Sequence, residues 1–86
     1  MKEEYSSNDE KNRELSLLKS GKELFESGHG EKAILLFTEI LEINSKNIEA
    51  YFYLGNIFYM SGQISKGIKA FKKVWANLKK LKRLSN

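Results

Sequence analysis

The 86-residue chain has no cysteine and no proline, one histidine and one tryptophan. Without cysteine there are no disulfides, no thiolate zinc sites and no sulfur nucleophile, and one histidine leaves little from which to build a metal site. Without proline, nothing stops a helix by removing its N–H, so helix ends must be set by other residues. Long apolar runs are also missing. The most apolar stretch, residues 50–60, is interrupted by Gly55 and Asn56, and the first ten residues hold no apolar segment, so neither a spanning helix nor a secretory signal is expected. The cytoplasm is the default compartment. Acid is missing from the second half: residues 1–49 carry net −4, whereas residues 50–86 hold eight basic residues and no acid, net +8. The chain is therefore electrically polar along its length, suited to an anionic partner or to a neighbouring copy.

What the sequence does contain is a repeat. A shift of 34 residues lays 14–47 over 48–81 and pairs Gly21 with Gly55, Gly28 with Gly62, Lys32 with Lys66, Ile34 with Ile68 and Phe37 with Phe71. Within each unit apolar residues recur at three- and four-residue steps, as in Ala33, Ile34, Phe37, Ile40 and Leu41, so each unit reads as two helices. Gly28 and Gly62 make the bends, and Asn44-Ser45-Lys46-Asn47 separates the units with Asn47 as N-cap. Helices are expected near 9–27, 31–43, 47–60 and 64–82, with capping-box spacing at Ser7 and Glu10 and a loose start at residues 1–6. The division is a polar, partly helical extension (1–13), two repeats (14–47 and 48–81) and a basic tail (82–86). Glycine inside a helix costs about 1 kcal/mol against alanine. The recurrence of Gly21 and Gly55 thus predicts a neighbouring helix crossing closely over each, with a large side chain against the small one.

Tyr51-x2-Leu54-Gly55-x2-Phe58 followed by Gly67-x3-Phe71, and Leu17-x2-Ser20-Gly21-x2-Leu24 followed by Ala33-x3-Phe37, resemble the signature of the tetratricopeptide repeat. Departures are Ser20 for leucine, Gly67 for alanine, and Ser45 and Lys79 where the family places proline. The resemblance implies an all-α fold of two tandem antiparallel helix hairpins, a four-helix fragment of an α-solenoid. It also implies a non-catalytic, cofactor-free scaffold that holds a peptide or helix of a protein partner in a concave groove. Projected onto this chain, Leu15, Leu18, Lys22, Phe25 and Glu26 with Glu49, Phe52, Asn56, Tyr59 and Met60 line that groove. Leu18 and Phe52 stand where a carboxylate clamp would need lysine, so an apolar segment is the better occupant. Tyr51 and Phe58 are expected in the core, Phe52 and Tyr59 as contacts, and Tyr53 in either place.

No catalytic constellation emerges. His29 lies between two glycines with Glu31 as its nearest candidate ligand, and no serine has a histidine and acid to activate it. The last helix is basic and amphipathic. Trp75, Leu78, Leu81 and Leu84 extend its apolar stripe beyond what the preceding helix covers, which points to self-association as a homodimer, two-fold in preference to head-to-tail. Two alternatives remain. Lys69, Lys72, Lys73, Lys79, Lys80, Lys82 and Arg83 suit an anionic surface, nucleic acid or membrane; otherwise the chain is a small chaperone for an export or assembly partner.

Overall fold

The structure, a computed structural model, describes residues 7–85. The expected looseness of residues 1–6 and the capping role of the Ser7 side chain lie outside the described residues. Among the described residues four helices follow one another: α1 (Ser7–Glu26), α2 (Gly30–Ile43), α3 (Ile48–Met60) and α4 (Ile64–Ser85). They pair as two antiparallel hairpins, α1 on α2 and α3 on α4, with α3 also laid against α2 and α1. The segment set apart as a tail is helical from residue 82 to Ser85, because neither a proline nor a left-handed glycine stands between Ile64 and Ser85 to end the helix.

Both hairpin bends use the same device. Gly28 and Gly62 take φ of 87° and 86°, a region that side chains with a Cβ rarely enter. Around them Gly28 N–H donates to the Phe25 carbonyl and His29 N–H to that of Leu24, at 3.1 and 2.8 Å. Gly62 and Gln63 repeat this on Tyr59 and Phe58 at the same two distances. This is the paired pattern that closes a helix on a left-handed residue.

The link between hairpins works without proline. Asn44 N–H caps the Ile40 carbonyl, the Asn44 side chain accepts from Lys46 N–H at 3.1 Å, and the Asn47 side chain accepts from Ala50 N–H at 2.9 Å to start α3. Both asparagines also donate to one Glu14 carboxylate oxygen, at 2.9 and 2.5 Å. Glu14 is nearly buried, and these bonds satisfy it.

The core runs along the α1–α2–α3 contact: Phe37, Ile40, Ala33 and Ala50 are fully enclosed, with Leu18, Leu54, Ile57 and Ala70 around them. A Cβ on Gly21 would stand 2.9 Å from the Phe37 ring, and one on Gly55 2.6 Å from the Phe71 ring. The close crossings expected from the sequence are thus present at equivalent places in both hairpins. Across the second pair, a Cβ on Gly67 would lie 3.1 Å from the Gly55 carbonyl oxygen.

Candidate protein-binding groove

Tyr53, on the side of α3 that faces α1, is half-buried. That ring stacks flat on buried Phe37 at 5.1 Å and takes Phe25 edge-on at 5.5 Å, so it belongs half to the core and half to the surface. Lys22 reaches across from α1: its ammonium lies 3.1 Å from the Glu49 carboxylate and 5.9 Å from the centre of the Tyr53 ring. The hydrogen bond to Glu49, and then the charge of Glu49, raise the Lys22 pKa above the usual lysine value.

Of the residues expected to line the groove, most reach the surface. Leu15 is exposed on α1, and Phe52, Tyr59 and Met60 are 47%, 59% and 73% exposed on α3. Asn56 is half-buried on the same face and donates to the Phe52 carbonyl at 2.9 Å, so its amide is engaged within its own helix. Glu49 and Glu26 are exposed at the rim. Leu18 is the correction: at 7% exposure it packs in the core cluster with Phe37, Leu54 and Ile57 and lines no groove, because the arrival of α3 shuts it in. Phe25 is only partly available for the same reason. Phe58 packs against the core as expected, whereas Tyr51 is half-buried outside the core cluster.

An open depression of about 510 Å³ lies where the first hairpin bend meets the end of α3, with Phe25, Ile34, Ile57 and Met60 as its apolar wall and His29 and Gln63 at its edge. His29 Nδ1 lies 3.0 Å from the Ser27 hydroxyl in this exposed bend. Among the described residues no three side chains of metal-binding type come together. On α4, Trp75 is 66% and Leu84 84% exposed, with Leu78 and Leu81 between, and the basic residues from Lys69 to Arg83 are exposed with them. Among the described residues no helix is long and apolar enough to cross a membrane.

Three contacts between elements go beyond the sequence expectations. The Glu14 tie to Asn44 and Asn47 had a signal, since its repeat equivalent is Ile48 and an acid at an apolar register calls for partners. The Lys22–Glu49 pair and the Arg13–Glu39 pair join different helices and leave no trace in a one-dimensional pattern.

No family model matches the chain, and no solved structure matches it. A curated relative, a TPR repeat-containing protein of Methanocaldococcus jannaschii, is 36% identical over 63 residues, which cover 73% of this chain. The match spans 11% of that protein's length. A relative bearing that name, and hairpins that recur on a 34-residue register down to the ring against the glycine, show that the chain belongs to the tetratricopeptide-repeat family.

Proposed function

We propose that the chain is a non-catalytic protein-binding module that takes an apolar or amphipathic segment of a partner protein against the outer face of α3. The observation that carries this is the exposure of Phe52, Tyr59 and Met60 together on that face. Large side chains left open to water in so small a chain release free energy when covered, at about 25 cal/mol per Å² of apolar surface. The Lys22–Glu49 pair borders this face and leaves its centre to the apolar side chains. Replacing Phe52 and Tyr59 together with alanine is expected to weaken partner capture at least about tenfold and to leave helicity unchanged. Loss of helical circular dichroism in that variant would make them core residues and end this reading.

Self-association through Trp75, Leu78, Leu81 and Leu84 is the lesser reading of the α4 stripe. It is favoured by their exposure, but it brings together two helices that each hold eight basic and no acidic residues between positions 64 and 85.

A further inference from the structure

The molecule contains its own control for what a bare surface means. In the first hairpin α3 covers the side that faces the next repeat; in the second hairpin the equivalent side, 34 residues on, is uncovered. Leu18 is 7% exposed and its equivalent Phe52 47%. Phe37 and Ile40 are fully buried, whereas Phe71 and Val74 are only half-buried. Ile34 and Leu41 pack on the core, whereas Ile68 is 48% and Trp75 66% exposed. All five pairs shift in one direction. The Phe52 ring on α3 lies 6.4 Å from the Phe71 ring on α4, so these residues adjoin across the two helices as one seat, at the register of the residues that α3 covers in the first hairpin.

We propose that this seat docks an acidic amphipathic helix of a partner protein, lying on α3 and α4 as α3 lies on α1 and α2. The inference rests on the reading of the chain as a protein-binding module, and it names the partner's form and charge. The form follows from the template: α3 presents Tyr53 and Ile57 to α2, Tyr53 by stacking on Phe37 and Ile57 by lying 3.2 Å from where a Cβ on Gly30 would stand. The charge follows from the flanks. Lys72 and Lys79 follow Ile68 and Trp75 by one helical turn, and a depression of about 320 Å³ beside Trp75 is bordered by Lys79, Lys82 and Arg83. Carboxylates beside an apolar stripe complement both features.

A second copy of the chain fits less well. Where α3 has Ala50, Tyr53, Leu54 and Ile57, α1 has Ser16, Lys19, Ser20 and Glu23, all exposed and polar, so a head-to-tail neighbour lacks the apolar face that α3 buries. A two-fold neighbour brings a second α4 with the same positive charge.

Trp75 is the chain's one tryptophan and sits in the seat, so its emission reports occupancy directly. The probe is a synthetic helical peptide with alanine, tyrosine, leucine and isoleucine in the spacing of α3's buried face and glutamate at the outer positions; its control carries lysine there. Titration of the full chain with the acidic peptide is expected to shift Trp75 emission to the blue and saturate. The lysine peptide should bind at least about tenfold more weakly. Raising salt from about 50 to about 300 mM should weaken the acidic peptide several-fold. Ile68→Glu should abolish the shift. Lys72→Glu with Lys79→Glu, at exposed positions, should reverse the preference between peptides even if Ile68→Glu disturbs folding. Equal binding of both peptides, or no shift, overturns the proposal. So does an emission already blue-shifted in a chain that sediments as a dimer, or the same shift produced by heparin. If Phe52→Ala with Tyr59→Ala weakens capture of a protein partner while Ile68→Glu and the paired lysine changes do not, the protein-binding reading stands and this seat is wrong.

Discussion

Gly21 and Gly55 show how much one missing carbon decides. In an exposed helix, replacing glycine by alanine gains about 1 kcal/mol. Here the new Cβ would meet the Phe37 ring at 2.9 Å or the Phe71 ring at 2.6 Å, so both substitutions are expected to destabilise, by about 1 to 3 kcal/mol. Gly21→Ala should be the worse of the two despite the longer distance. Phe37 is fully enclosed and its ring has nowhere to move, whereas half-buried Phe71 can yield toward solvent. Urea denaturation of the two variants measures this, and a stabilised Gly21→Ala would show that the helices are not in tight contact. The left-handed glycines behave differently: nothing lies within 4 Å of a Cβ on Gly28 or Gly62, so alanine there meets only the backbone penalty. Such distinctions among glycines are invisible in composition, but the repeat register together with the helical spacing that places Gly21 and Gly55 inside helices singles out the two that face a ring.

The elements carry the fold's sequence-legible part and its main correction. Helical spacing, the two glycine bends and the Asn47 cap were all readable, because each is a local preference that tertiary contacts reinforce. Leu18 departs from its expected place because its burial depends on α3, thirty residues away, and a pattern projected onto each repeat separately treats the first and second hairpins alike. Helix α4 has 22 residues against 13 in α3, so its last turns pass beyond the helix it pairs with. Amide exchange is expected to be faster over residues 79–85 than over 67–74, which pack on α3 through Gly67, Ala70 and Phe71. Uniform protection along α4 would mean that something else covers its end. The link from α1 to α3 through Lys22 and Glu49 has a pH signature. Since the folded pKa of Lys22 is raised, the stability this pair adds is fully present at neutral pH and is lost as pH climbs through that value, above the ordinary lysine range. The difference in melting temperature between the wild type and Lys22→Met should accordingly vanish in strong alkali and persist from pH 6 to about 9. A difference unchanged across the lysine titration would assign the effect to packing of the Lys22 stem.

As a whole the molecule is a slab, with Cα extents of 47 × 36 × 17 Å and a radius of gyration of 14.2 Å, above the roughly 12 Å of a rounded chain of this size. Two layers of helices leave every element near water, and this is why so many large apolar side chains remain exposed. The sequence announced the apolar stripe and the basic charge of the second half. It did not reveal that the exposed residues of α3 and α4 adjoin as one seat, since that adjacency belongs to the packing of α3 on α4. One carboxylate has a wider effect than its size suggests. Glu14, on α1, holds Asn44 at the end of α2 and Asn47 at the start of α3, so a single side chain clasps three helices across the junction of the hairpins. In repeat proteins the coupling between neighbours, more than the stability of each unit, determines whether they melt together. Glu14→Ala would leave two asparagine amides without their acceptor, at a cost of about 1 to 3 kcal/mol. Its clearer mark should be a broadened denaturant transition with a smaller m value, as the hairpins begin to unfold one without the other. A transition that keeps its steepness and moves only its midpoint would show that the α2–α3 contact alone binds the two hairpins into one cooperative unit.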